Sequence, residues 1–358
     1  MRVLVLGATG SIGQQTIEVI KKLKYQLVGI SFYKNSKLAS EINVHYKYSP
    51  LDTNLSNVKN YDELIKKTKP DIVVNAIVGF AGLDATIVTI QNKKTLCLSN
   101  KESLVVAGRF ITQLAKENST KIYPIDSEHT ALFQILSQNK GFLFKKLYIT
   151  ASGGPFYKYS QKQLEKVTYK QAINHPVWKM GAKISVDSAT LVNKCFEIIE
   201  AYWYFHTTKI EALYHPTSFI HAIVKYQFKT LMFGCKPDMR TSIMQSLTLF
   251  KNSSPYVLPL KQKYILEKIN RNKWIPMKWA HVAIKNPKSS LPIIINAANE
   301  EAIHLFAKNL ISFPTIIKII QKCIKKFSVF QVTKIEDVYA MDYKIREYIH
   351  SIKILKQH

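Results

Sequence analysis

Up to residue 150, short apolar and β-branched runs alternate with segments whose apolar residues recur every three or four positions. The runs Arg2–Leu6, Gln26–Ser31, Asp71–Ile77, Thr95–Leu98, Lys121–Ile125 and Lys146–Thr150 predict buried strands. Between them, Ile12–Leu23, Tyr61–Thr68, Leu83–Gln91, Glu102–Lys116 and Glu128–Gln138 have helical spacing. This alternation predicts an α/β fold, a doubly wound and mostly parallel sheet with helices on both faces. From Ala151 the pattern changes, and SGGPF, a polar stretch and NHPVWKMG read as a long mobile loop region. A helix is predicted at Thr190–Tyr204, strands at Glu211–Tyr214, Ser218–Gln227 and Thr230–Gly234, and a helix at Met239–Phe250. A Pro- and Lys-rich connection, Asn252–Lys288, leads to helical patterns at Ile293–Lys308, Thr315–Lys326 and Lys334–Ile352. The final KILKQH reads as a solvated end.

Composition removes several classes. With 358 residues, 47% hydrophobic and 21% charged, the chain is an ordinary globular mixture and is not disordered. It has no apolar run long enough for a spanning helix, and the run before the glycine loop is short for an export signal. The four cysteines, Cys97, Cys195, Cys235 and Cys323, form no CxxC pair; a reducing cytoplasm fits them. The net charge of +27 would attract sugar phosphates, nucleic acid and anionic lipid alike. Its lysines are dispersed without an arginine-rich stripe, so compositional bias is the better reading, and neither nucleic acid nor membrane is expected as a partner.

Three segments carry chemistry. GATGSIG, Gly7–Gly13, follows a strand and opens a helix, where a pyrophosphate would meet the helix N-terminus; a strand–helix turn without a ligand is the plainer alternative. The second strand ends in Phe32, Tyr33, Lys34 and Asn35 with no carboxylate, which favours NADP over NAD unless Lys34 is simply a surface lysine. In IYPIDSEHTA, Asp126 and Glu128 suit a hard divalent cation if Asp126 ends the strand, or they cap the next helix. In KISVDSATLVNKCFEIIE, Ser188 precedes a helix carrying Asn193, Lys194 and Glu197 on neighbouring faces. Those residues hold an anion and supply a third carboxylate, or form a solvated face. Ser152, Gly153 and Gly154 offer a phosphate nest.

GATGSIG, SNKESLV, PIDSEHTA, ASGGPF, NHPVWKMG, KISVDSATLVNK with its following glutamate, CKPDMR and NAANEEA occur in the order seen in 1-deoxy-D-xylulose 5-phosphate reductoisomerases. The chain resembles that family, most densely from Met1 to Met244. The resemblance implies a Rossmann-like NADPH-binding domain at 1–150 and a central α+β catalytic domain with a flap at 151–255. A linker at 256–289 and a small C-terminal helical domain at 290–358 would follow. It implies NADPH held by Thr9, Gly10, Ser11, Ile12, Lys34, Asn35, Asn100, Glu102 and Gly181. Mg²⁺ or Mn²⁺ would sit on Asp126, Glu128 and Glu197. The sugar phosphate would meet Lys101, Ser127, Glu128, Ser152, His175, Ser188, Asn193, Lys194 and Glu197, under a loop carrying Trp178 and Met180. Lys101 and the three carboxylates would serve catalysis. The implied reaction rearranges and reduces 1-deoxy-D-xylulose 5-phosphate, and the implied assembly is a cytoplasmic homodimer. Tyr33 stands where this family usually has glycine. Another NADP-dependent reductase of a small aldehyde or semialdehyde, or a basic nucleic-acid-binding protein, are the competing readings.

Overall fold

A computed structural model describes residues 1–49, 57–251 and 264–351. The chain begins β1 (Arg2–Leu6), α1 (Ser11–Lys22), β2 (Gln26–Ser31), α2 (Ser36–Glu41), β3 (Tyr46–Tyr48), α3 (Asn57–Thr68), β4 (Ile72–Asn75) and α4 (Gly82–Gln91). Next come β5 (Thr95–Leu98), α5 (Lys101–Glu117), β6 (Ile122–Pro124), α6 (Ser127–Gln138) and β7 (Lys146–Ala151). Then follow α7 (Gln161–Glu165), α8 (Tyr169–Ala172), α9 (Ala182–Thr190), α10 (Val192–Phe205), β8 (Ile210–Tyr214), β9 (Ile220–Lys225) and β10 (Thr230–Gly234). The chain ends with α11 (Met239–Leu247), β11 (Glu267–Lys268), α12 (Pro276–Lys285), α13 (Leu291–Ala307), α14 (Phe313–Lys326) and α15 (Ile335–Ser351).

These elements form two compact units interleaved in sequence. One draws on Met1–Ser103, Ile111–Lys145 and His221–Leu260, the other on Leu104–Phe110, Lys146–Ile220 and Lys261–His358. In the first, a six-stranded sheet has the order β3-β2-β1-β4-β5-β6. All its pairings are parallel. Parallel strands covered on both faces need apolar residues at successive positions, and Val3, Leu4, Val5 and Leu6 are fully buried. Each such side chain contributes about 1.5–3 kcal/mol by leaving water. Val3 and Val5 join a cluster with Ile17, Ile20, Ile243 and Leu247 from α1 and α11. Leu4 and Leu6 face the opposite way, toward Leu64, Ile65 and Val88 of α3 and α4.

In the second unit β7 runs parallel to β8, which pairs antiparallel with β11. Helix α13 is buried along most of its length, as a helix surrounded by others requires. Arg346 on α15 ties it down through Glu300 and Glu301 at 2.8 Å each, and also grips Asp342 at 2.6 Å. Asn299 of α13 donates to the buried Asp187 of α9 at 2.6 Å, and Lys183 reaches the same carboxylate at 2.9 Å.

Several expectations need correction. The outermost strand beside β2 is Tyr46–Tyr48, too short and too exposed to register as an apolar run. Lys146–Thr150, read with the first sheet, instead lies in the second unit as β7, because an apolar run does not say which sheet it joins. The stretch after Ala151 contains α7 and α8, each started by an N-terminal capping box, Ser160 with Gln163 and Thr168 with Gln171. Ser188 lies within α9, which had been read only as an approach to the next helix. The connection at 256–289 includes α12, which proline starts at its first position. Its residues 256–263 lie outside the described residues, as do Ile352 and the KILKQH end. No described helix is long and apolar enough to cross a membrane. All four cysteines are free, with Cys97, Cys195 and Cys323 buried and Cys235 half-buried. Burial pushes every one of these thiols up, Cys235 to about 11.

Candidate active site

In the first unit the glycine loop and the end of β2 form one piece. The backbone N–H groups of Gly7 and Ala8 donate to the Ser31 carbonyl at 3.1 and 2.8 Å, and Gly7 N–H also meets the Ser31 hydroxyl at 3.1 Å. A Cβ on Gly13 would stand 2.3 Å from the Gly7 carbonyl oxygen, so only glycine lets α1 start this close to the loop. No side chain caps α1, and Gly10 N–H turns back to the Gly7 carbonyl at 3.1 Å, which leaves the backbone donors of Thr9, Ser11 and Ile12 at a helix N-terminus suited to an anion. At the end of β2, Asn35 caps α2 by accepting from Leu38 N–H at 3.1 Å, and the Lys34 ammonium lies 5.3 Å from the Tyr33 ring centroid.

The next strands bring further residues to the same edge. Asn100 caps α5 through Ser103 N–H at 3.0 Å, and its amide holds the carbonyls of Ile77 and Gly79 at 2.8 Å each. The same amide donates to Glu102 at 3.1 Å. Asn100 and Glu102 thus brace the turn after β4. Lys101 is buried, and its ammonium contacts Asp126 Oδ2 at 2.9 Å. Asp126 does not end a strand, since β6 stops at Pro124. It is the N-cap of α6, its Oδ1 accepting from Glu128 N–H at 3.2 Å while Oδ2 meets Lys101, and capping leaves both carboxylates available as oxygen ligands. The Ser127 hydroxyl bonds the Glu128 carboxylate. Sequence reasoning missed His129, fully buried with Nδ1 3.1 Å from Asp126 Oδ1; its place three residues into α6 was the available signal.

The second unit gathers the remaining residues. Gly154, at φ +63°, would push a Cβ to 2.8 Å from Ala189 Cα, so the loop after β7 lies directly on α9 beside Ser188. Ser152 Oγ accepts from Gly154 N–H at 3.2 Å and lies 2.8 Å from His175 Nε2. His175 Nδ1 accepts from Val177 N–H at 3.2 Å and Trp178 N–H at 2.9 Å. The ring proton therefore sits on Nε2 and is donated to Ser152, whose own hydroxyl proton is left for an acceptor. Gly181 N-caps α9, its carbonyl accepting from Ser185 Oγ at 3.0 Å. Met180 and Trp178 are half-buried on the segment before it. On α10, Asn193 and Lys194 both donate to the buried Glu197 carboxylate, so these three form one hydrogen-bonded group rather than a solvated face.

Burial lowers the His175 pKa from 6.5 to about 4. Because the folded value lies below the unfolded one, the neutral ring costs nothing above about pH 6.5, and folding loses up to about 1.4 kcal/mol per pH unit between 6.5 and 4. Urea midpoints at pH 7 and pH 5 should show a smaller loss for His175→Gln than for the unaltered chain; equal losses would exclude this titration.

The first unit thus carries an uncapped glycine-loop helix start after β1 and the Asp126 and Glu128 carboxylates after β6 of the same parallel sheet. Profiles described as 1-deoxy-D-xylulose 5-phosphate reductoisomerase match residues 3–53 and 50–108, and the C-terminal domain profiles of that enzyme match 122–205 and 235–348. A reductoisomerase of Malacoplasma penetrans is 42% identical, over 98% of this chain and 94% of that protein.

The chain belongs to the 1-deoxy-D-xylulose 5-phosphate reductoisomerase family.

A second family member, from Mycoplasmoides gallisepticum, is 41% identical over 98% of both chains. Among solved structures, a DOX-P reductoisomerase in complex with NADPH, fosmidomycin and magnesium has a TM-score of 0.88 at 32% identity, covering 100% of this chain and 99% of that one. The Zymomonas mobilis reductoisomerase in complex with NADPH gives a TM-score of 0.83 at 32% identity, covering 98% and 99%.

Proposed function

We propose that this reductoisomerase converts 1-deoxy-D-xylulose 5-phosphate, NADPH and a proton to 2-C-methyl-D-erythritol 4-phosphate and NADP⁺, with the residues named here as its machinery. Membership of the family carries the reaction; the buried ion pairs Lys101–Asp126 and Lys194–Glu197 support the assignment of the residues. A cytoplasmic homodimer belongs to the same proposal.

The donor sets fit the two groups that the family requires. Asp126, Glu128 and Glu197 are oxygen ligands suited to Mg²⁺ or Mn²⁺, and the uncapped N-terminus of α1 suits a pyrophosphate. When bound, the metal supplies Lewis acidity at the substrate ketone and NADPH supplies the hydride. Thr9, Ser11 and Ile12 present backbone donors to the cofactor, Gly10 lets it approach the loop closely, Lys34 and Asn35 receive its adenosine end, and Asn100, Glu102 and Gly181 flank it. Lys101 holds a proton at Nζ next to the reacting oxygens and balances the charge of Asp126. Ser127 orients the Glu128 carboxylate.

Ser152 donates a hydrogen bond from its hydroxyl to the substrate phosphate, with His175 fixing its rotamer, while Ser188, Asn193 and Lys194 complete the phosphate site. Binding energy gathered at the phosphate is then available to close the Trp178–Met180 segment and exclude water from the aldehyde formed when the C3–C4 bond breaks and the fragments rejoin.

The direct test mixes the purified chain with 1-deoxy-D-xylulose 5-phosphate, NADPH and Mn²⁺ and follows reduced-nicotinamide absorbance. Oxidation should need both sugar phosphate and metal and stop with chelator. Folded protein that leaves NADPH untouched, or oxidises it equally after chelation, would refute the assignment.

A further inference from the structure

The glycine loop is tied to Ser31, and two residues further on Tyr33 is 57% exposed, at the head of an exposed turn that runs on through Lys34, Asn35, Ser36 and Lys37. Single exposed aromatics are common on protein surfaces, so exposure alone means little. Here the backbone beneath the ring is fastened on both sides. Phe32 N–H donates to the Tyr48 carbonyl at 3.0 Å, and the buried Ser49 hydroxyl donates to the Tyr33 carbonyl at 3.1 Å. Ser36 N–H then closes on the Lys34 carbonyl at 2.9 Å, and Asn35 caps α2. A tyrosine has only two side-chain torsions to immobilise, so on a fixed turn it offers contact area at low entropic cost.

Position adds the decisive element. In dinucleotide folds the pyrophosphate occupies the first loop and the adenosine reaches the end of the second strand. The Lys34 ammonium lies over one face of the Tyr33 ring, 5.3 Å from its centroid, so a base would take the opposite π-face with a cation close at hand. A purine carrying a phosphate on its ribose presents the complementary pair, a stackable ring and an anion.

We propose that Tyr33 is the stacking platform for the adenine of NADPH, with Lys34 beside it taking the ribose phosphate; this rests on the cofactor assignment above. Stacking against an aromatic face tolerates sequence and loop variation because it needs area rather than matched donors. Tyr33 is therefore a determinant of cofactor affinity and takes no part in hydride transfer.

The test is calorimetric titration of the full chain with adenosine 2′,5′-bisphosphate and with NADPH, comparing Tyr33→Phe, Tyr33→Leu and Tyr33→Gly. Phe should bind within about twofold of the unaltered chain, while Leu and Gly should weaken both ligands by roughly 5- to 150-fold. Reduced nicotinamide mononucleotide, which lacks the adenine, should bind all four proteins equally. Leu binding as tightly as Phe would replace stacking with plain apolar cover and overturn the proposal. Tighter binding by Gly would show that the ring obstructs the site, with the same result. Normal NADPH binding with no difference among variants removes the platform alone, whereas an unaltered chain that binds neither ligand removes the cofactor assignment as well.

Discussion

Glu197→Gln should cut metal-dependent NADPH oxidation by at least roughly a hundred- to a thousandfold while NADPH affinity stays within about twofold. Glutamine keeps the size of the side chain but removes the negative charge on which a divalent ion depends. The substitution also removes the carboxylate charge to which the buried Lys194 is bonded. Breaking one side of a buried pair costs about 3–5 kcal/mol, so thermal unfolding must be followed beside activity. The double variant Glu197→Gln, Lys194→Met removes both charges and should recover much of the stability with none of the turnover. A folded Glu197→Gln protein with near-normal turnover would exclude the residue from the metal site.

Lys101→Met should lower kcat by about 10²–10⁴-fold, the range expected when a positioned proton donor is lost. Its ammonium lies 2.9 Å from Asp126, and both side chains are largely withdrawn from solvent. Met preserves the unbranched stem and removes the charge. Lys101→Arg separates two roles, since guanidinium restores the ion pair but does not release a proton at working pH. If Lys101 only pairs with Asp126, Arg restores both stability and kcat; if it also moves a proton, Arg restores stability and kcat stays low. Stopped-flow measurement of NADPH oxidation in single turnover distinguishes these outcomes from slow product release.

Where one residue type had to satisfy one local demand, the primary structure was informative. Strands β1, β2 and β5 are buried runs with no ambiguity of face, and their ends agree with the apolar runs to the residue. The glycine loop was legible because Gly13 has no substitute that clears the Gly7 carbonyl. Strand β3 was not, because three residues at a sheet edge owe their conformation to the neighbour they pair with. Helix α9 was not legible either, and the bond that its Asp187 accepts from Asn299 spans a long sequence separation. Spacing placed Asn193, Lys194 and Glu197 on adjoining faces, yet it offered no means of telling a solvated stripe from the closed group they form. His129 escaped notice for a similar reason: a histidine on a helix acquires meaning only from the carboxylate it touches.

The sulfur chemistry of the chain has a practical consequence. Three thiols are sealed in the interior and the fourth is held protonated well above neutral pH, so none presents a ready nucleophile to a maleimide at pH 7. The native sequence is thus a silent background for site-directed labelling. A cysteine introduced at the exposed Lys179, between Trp178 and Met180, would take a fluorophore selectively and test the proposed closure over the sugar phosphate in real time, without first stripping the protein of its own cysteines.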